Sequence, residues 1–388
     1  MAKKNLVKKA CLIFALSFLL LAKSSFAQPQ QAHLCISILT CDPGEELYSI
    51  FGHTAIRIID STKKTDLVFN YGTFDFDDPD FYSKFVRGKL NYFLSVEEVP
   101  TFMYEYQVTH RSVTEQELLL NDVTKQAINE AIAKNLVGNN RYYKYDFLYD
   151  NCTSRVKDIL AKYAGMKVDK KLVPQGTSFR DMIHEYLDRG GMLWTKLGMD
   201  ILLGSPSDKS VTIAESMFLP DYLLKGIDSS VLSAHPVLLK KQSILIARKS
   251  GHTNHTNWPL IVFSVISTVI LVISFLQNNI AVKVTQLFDS LFLLITGFIG
   301  WLLLFTWFGT DHTSFAANYN LLWALPTHVI AALAIWKKSG WLQKYFLVSS
   351  LLYGLLLVFW YWLPQPLNPA CIPIVLLLFL RSVRLAKK

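Results

Sequence analysis

The last third of the chain constrains the architecture more than any other feature. From Pro259 onward the sequence is a series of apolar runs, at about 259–276, 287–308, 321–336, 345–362 and 367–380. Each approaches the roughly 20 residues that a helix, rising 1.5 Å per residue, needs to cross a hydrocarbon layer about 30 Å thick. Inside that layer every backbone N–H and C=O must find its partner within the segment, so such runs fold as helices. Residues 251–388 are therefore expected to form an all-α transmembrane domain of about five helices. Basic residues fall in alternate connections. Lys283 lies in the first, Lys337, Lys338 and Lys344 in the third, and Arg381, Arg384, Lys387 and Lys388 in the tail, whereas loops 309–320 and 363–366 hold no Lys or Arg. By the positive-inside rule the C-terminus is cytoplasmic and the chain before residue 259 is exported.

The opening of the chain agrees. Lys3, Lys4, Lys8 and Lys9 precede an apolar core from Cys11 to Ala22, and Ser25-Phe26-Ala27 is a small-x-small cleavage site. Residues 1–27 read as a secretory signal peptide, with an uncleaved anchor disfavoured because the core is short for a span. The formal net charge of +9 does not point to nucleic acid. Lys and Arg outnumber Asp and Glu by 5 to 0 in residues 1–27 and by 8 to 2 in 259–388, but stand at 26 to 28 in 28–258. The exported body, 28–250, is nearly neutral, so no nucleic-acid partner is expected.

Within that body the stretch Tyr149-Asp150-Asn151-Cys152-Thr153-Ser154-Arg155 carries the chemistry. Asp150 and Asn151 are helix N-cap residues, and Val156, Ile159 and Leu160 supply an apolar face at helical spacing. Cys152 thus falls in the first turn of a helix, where unpaired N–H groups and the helix dipole favour thiolate. About a hundred residues earlier, His53 opens the alternating run Thr54 to Ile58. A turn at Ser61 to Lys64 returns the chain through Asp66 to Gly72, which sets His53 roughly opposite Asn70 to Gly72. A thiol on a helix start beside a strand histidine is a thiol-hydrolase arrangement. Asn70 is placed to orient the imidazole, with Tyr71 as the competing candidate.

Of five cysteines, Cys11 lies in the signal and Cys371 in a span. In an oxidising compartment a Cys35–Cys41 disulfide would leave Cys152 as the free thiol. Around these landmarks, 33–40 reads as a buried strand, 89–95 and 109–113 as strands, and 114–117 as the opening of a helix. Residues 121–136 read as an amphipathic helix, 174–228 as mostly helical, and 237–248 as a last strand. Asp311, His312, Asn318 and Asn320 crowd the external loop, where they either cap helix ends or bind a lipid headgroup. His328 falls inside an apolar run, where an ionisable group is costly. The chain contains no Gly-x-Gly-x-x-Gly, phosphate loop, Gly-x-Ser-x-Gly or His-Glu-x-x-His motif, and no metal site or cofactor is expected.

The stretches 39–45 (LTCDPGE), 51–57 (FGHTAIR), 69–76 (FNYGTFDF) and 149–155 (YDNCTSR), continued by Met217-Phe218-Leu219-Pro220 and the segment from Asp311 to Pro326, resemble the Lnb family of Bacteroidota, the lipoprotein N-acyltransferases. The resemblance implies an α+β exported domain of circularly permuted papain/NlpC-like fold, with Cys152 as nucleophile and His53 as its base. The permuted enzymes usually place a second histidine where this chain offers Asn70 and Tyr71. It further implies a multi-pass inner-membrane enzyme, a phospholipid acyl donor and a diacylated lipoprotein acceptor. Asn151 and Arg155, flanking the cysteine, and Asp311, His312, Asn318 and Asn320 are then the candidate substrate contacts. A thiol peptidase or amidase of the envelope, and a non-catalytic lipid- or lipoprotein-binding protein, are the alternative readings.

Overall fold

A computed structural model describes residues 33–46, 48–232, 235–247, 255–276, 278–337 and 340–387. The expected signal segment, 1–27, lies outside the described residues. Among the described residues, seven antiparallel strands form one sheet in the exported body: β1 (Leu34–Cys41), β2 (His53–Asp60), β3 (Thr65–Thr73), β4 (Asn91–Glu98), β5 (Val113–Leu118), β6 (Tyr142–Lys144) and β7 (Leu238–Leu245), in spatial order β6-β4-β3-β2-β1-β5-β7. The β2–β3 hairpin pairs Ile56 with Phe69 and Asp60 with Thr65, the register expected from its turn.

Strand alternation divides the side chains between two cores. Ile36, Ile38, Ile56, Ile58, Phe69 and Tyr71 face a pair of helices, α3 (Asp122–Asn135) and α4 (Cys152–Tyr163), whose Ile128, Ile132, Val156 and Leu160 are buried against them. On the other face Leu39, Cys41, Ala55 and Val68 pack under α2 (Val99–Val108) through Phe102 and Tyr106. A short helix, α1 (Phe81–Val86), precedes β4. Beyond α4 the chain is helical, with α5 (Phe179–Arg189), α6 (Leu193–Leu202) and α7 (Pro220–Ser229).

Two local expectations are corrected here. Residues 114–117, with their helix-opening Thr-x-x-Glu, belong to strand β5, because pairing with β1 on one side and β7 on the other outweighs the local capping signal. Cys35 and Cys41 do not form a disulfide. Both lie on β1 and both thiols are free. Six residues of extended strand separate them by about 20 Å, far beyond the roughly 7 Å that a disulfide spans.

Among the described residues of the C-terminal region, four helices are long and apolar enough to cross a membrane: α8 (Trp258–Phe275), α9 (Asn279–Phe308), α11 (Trp341–Val358) and the segment Pro369–Ala386, which includes α12 (Ile372–Ala386). The run at 321–336, expected as a fifth helix, is instead a 3-10 turn at Tyr319–Leu322 followed by the seven-residue helix α10 (His328–Ala334). Pro326 interrupts it, since proline lacks the N–H and clashes with the preceding turn. The broken segment still carries the chain through the bundle. Asn318 bonds the carbonyls of Ile201 and Leu202 on the sheet-domain side, whereas the Ala332 carbonyl accepts from Ser290, far along α9.

The bundle is fastened to the exported body by a polar hub. Arg180, on α5 and buried, donates to Asp200 at 3.0 Å and to Asp208 at 2.7 Å. Asp200 also accepts from Asn368 of the bundle at 2.8 Å and pairs with His184 at 2.7 Å. Gln365 reaches the Leu203 carbonyl at 2.9 Å. At Gly204 the external loop passes so closely that a Cβ would lie 1.8 Å from the Ala316 carbonyl oxygen.

Candidate functional site

Cys152 begins α4. Asn151 caps the helix, its side-chain oxygen accepting from the N–H groups of Thr153 and Ser154 at 2.8 Å each, while Ser154 closes the capping box by accepting from Asn151 N–H at 2.7 Å. This geometry fixes the first turn and occupies the N–H groups of Thr153 and Ser154, so that Cys152 is held at the very start of the helix. His53 begins β2, directly after Gly52, whose backbone has φ +77°. A Cβ there would meet the Cys41 carbonyl oxygen at 2.5 Å, so the turn that launches β2 beside β1 requires glycine.

The two elements meet where the sheet ends. Thr54 and Thr153 hydroxyls lie 3.0 Å apart, tying β2 to α4, and beside them the Cys152 thiol and the His53 imidazole are close enough to interact electrostatically. Both side chains are half-buried. The second imidazole nitrogen, Nε2, is 3.2 Å from Asn70 Oδ1, and Asn70 Nδ2 donates to Glu97 Oε1 at 2.5 Å. By strand alternation His53, Asn70 and Glu97 share the α2 face, so the line Cys152, His53, Asn70, Glu97 runs from the helix start across three strands.

Electrostatics follow from this line. Burial pushes the Cys152 thiol up, but the charge and hydrogen bond of His53, the Thr54 N–H and the Thr153 hydroxyl bring it below the ordinary thiol value. Burial presses the His53 imidazole down, and the Cys152 charge, with hydrogen bonds to Cys152 and Asn70, lifts it above the usual histidine range. The two shifts are those of a thiolate–imidazolium pair. The other exported thiols move the opposite way. Burial and the Glu117 carboxylate push Cys35 up to about 11, and burial pushes Cys41 up to about 12. Glu97 is also raised, mainly by burial.

The remaining expected site residues are engaged elsewhere. Tyr71 faces the α4 core, fully buried, its hydroxyl accepting from Asn135 at 2.8 Å, so of the two candidates beside His53 it is Asn70 that touches the imidazole. Asn151 completes its bonding by donating to the Phe147 and Phe218 carbonyls. Arg155 forks onto Asp150 at 2.6 and 2.8 Å and stacks 3.5 Å over the Tyr143 ring. Asp311 pairs with Lys144 at 3.0 Å, and His312 reaches the Phe85 carbonyl at 3.1 Å. Asn318 and Asn320 hold the carbonyls at the end of α6, and Asn320 accepts from Trp323. These loop residues dock the exported body on the bundle. Sequence reasoning missed Glu97, whose signal was the alternation of β4: its even positions Tyr92 and Leu94 are buried on the α4 side, which puts Glu97 beside Asn70. Among the described residues no group of three or more His, Cys, Asp or Glu is arranged to hold a metal ion.

A sheet domain bearing a paired thiol and imidazole, bonded to a bundle of membrane-length helices, defines a membrane protein. Residues 23–188 match the family model of the Lnb N-terminal periplasmic domain, and residues 252–388 match that of the Lnb transmembrane domain. The chain belongs to the Lnb family, and is thus a lipoprotein-processing membrane protein with a periplasmic N-terminal domain. No curated protein and no solved structure matches the chain.

Proposed function

We propose that the protein is a lipoprotein N-acyltransferase working through an acyl-thioester on Cys152, on a fold of the permuted papain/NlpC-like kind. The supporting observation is the electrostatically coupled Cys152–His53 pair, with Asn70 and Glu97 behind it, in a domain bonded to membrane-length helices. The order of the elements, histidine strand before cysteine helix, is the permuted one.

In the first half-reaction the Cys152 thiolate attacks an ester carbonyl of a phospholipid. The new C–S bond pushes charge onto the carbonyl oxygen, which the Cys152 N–H at the start of α4 would receive. Collapse breaks the C–O bond, and the departing glycerol oxygen takes the proton from the His53 imidazolium, releasing lysophospholipid. In the second, the α-amine of a diacylglyceryl-cysteine attacks the thioester while neutral His53 accepts its proton. The C–S bond breaks, thiolate returns, and the product is a triacylated lipoprotein. Asn70 holds the imidazole in one orientation, with the Glu97 carboxylate fixing the amide. Both substrates are lipids, so a site at the bilayer replaces a search through water with one along a surface. The enzyme then belongs in the inner membrane, with its C-terminus cytoplasmic.

The test is the full-length protein reconstituted in phospholipid vesicles with a diacylated lipopeptide. Mass spectrometry should find an acyl group on Cys152 and a triacylated product, and Cys152→Ala should remove both. A Cys152→Ala protein that still makes triacylated lipopeptide refutes the reading. Release of free fatty acid or cleaved peptide, with water as the acceptor, would assign a hydrolase instead.

A further inference from the structure

The segment 74–87 follows β3 and is bonded to the loop that leaves α9. The helix α9 ends at Phe308, and three residues later the Asp311 N–H donates to the Arg87 carbonyl at 2.9 Å, with His312 bonded to Phe85. The helix α1 therefore sits one short loop from the end of a membrane-length helix. Its outward side chains are mostly apolar, with Tyr82 80% exposed and Phe85 and Val86 also open to solvent beside Ser83, while the neighbouring exposed Phe76 stands among Asp75, Asp77 and Asp80. Exposed aromatics ring the bundle on this same side, with Trp258 starting α8, Phe308 ending α9, and Tyr361 and Trp362 following α11. Such a belt marks the level of lipid headgroups, and α1 continues it over the exported domain. A cluster of this kind, left open to water, is a surface that something apolar covers.

The inner side of the segment continues as a line of rings. Phe76 contacts Phe74 with centroids 4.7 Å apart, Phe74 contacts Tyr92 at 5.3 Å, and Tyr92 stacks on Tyr145 at 4.4 Å. Gly72, two residues before Phe74, backs onto Cys152, where an added Cβ would lie 3.4 Å from the cysteine Cβ and 3.9 Å from the Tyr143 hydroxyl. That hydroxyl is buried and has no hydrogen-bond partner among the described residues. An orphaned donor beside the thiol is a polar end for an otherwise apolar line, and an ester carbonyl would satisfy it.

From these observations we infer that the Tyr82, Phe85 and Val86 face of α1 inserts into the outer leaflet, with the aspartates of the preceding loop left at the headgroup level, and that an acyl chain of a membrane phospholipid passes from it along Phe76, Phe74 and Tyr92 to Cys152. The inference deepens the acyltransferase reading by naming where the lipid enters, and it rests on that reading for the lipid's purpose alone. The full-length protein is placed in phosphatidylcholine vesicles containing a phosphatidylcholine with a diazirine on its acyl chain, irradiated, and mapped by peptide mass spectrometry. Adducts are expected within residues 74–92, in the wild type and equally in Cys152→Ala, because insertion needs no catalysis. Adducts confined to the helices of 258–386 overturn the proposal. Tyr82→Asp with Phe85→Asp should lower the 74–92 adducts at least tenfold, with alkylation of Cys152 as the folding control; unchanged adducts in this folded variant also overturn it. Labelling at 74–92 without any acyl transfer by the wild type would uphold the entry route while removing the acyltransferase reading.

Discussion

Replacing His53 by alanine should silence the Cys152 thiol at neutral pH. Two of the four influences that lower its pKa come from His53, its charge and its hydrogen bond, and burial opposes them. An unassisted thiol, titrating near 8.5, is only a few per cent thiolate at pH 7, and burial reduces that further. If the paired thiol is mostly ionised, His53→Ala slows alkylation at pH 7 by at least about 30-fold, equivalent to roughly 2 kcal/mol. The pH profiles should separate as well. With its thiol lowered and its imidazole raised, the pair stays charged between those two values, so the wild-type rate persists on the acid side and falls only as pH drops through the lowered thiol value. The variant should gain reactivity only above about pH 8.5. The assay is timed iodoacetamide alkylation of the full-length protein in detergent, read by peptide mass spectrometry. Cys35 and Cys41, pushed up to about 11 and about 12, are internal controls that stay slow. Superimposable profiles for wild type and His53→Ala would refute the pairing.

Asn70→Ala removes the bridge between imidazole and Glu97, and acyl transfer should fall by up to about 100-fold with the protein still folded, as a loosened catalytic group costs; an unchanged kcat would show that the bridge is only structural. Arg180→Met leaves Asp200 and Asp208 without their guanidinium and should destabilise the folded protein by about 3–5 kcal/mol, measured by thermal unfolding in detergent. Gly204→Val forces the external loop off the Ala316 carbonyl, and limited proteolysis should then cut the loop at 309–320 faster than in the wild type. Asp311→Ala breaks only an exposed pair with Lys144, so thermal stability should change by less than about 1 kcal/mol.

Much of this arrangement was legible along the chain because it is encoded at short range. The hydropathy runs specified a membrane-length bundle, the Asp150-Asn151 cap and the 3.6-residue spacing after Cys152 specified the helix start, and the turn at 61–64 fixed the register that sets His53 near Asn70. Each signal depends on residues within a turn or a hairpin of one another. What the tertiary structure decided involves partners far apart in sequence. Glu97 joined the line through β4 pairing, 114–117 became a strand between two others, and Cys35 and Cys41 were held apart by lying on one extended strand. Asn318 and Asn320 were taken up by carbonyls of α6 more than a hundred residues away. Local periodicity says which face of an element is apolar, but only the packed arrangement says which backbone or side chain arrives to meet its polar groups. For that reason Cys152, His53, the Asn151 cap and Asn70 could be read from the sequence, while Glu97 and the polar contacts that join the exported body to the bundle required the fold.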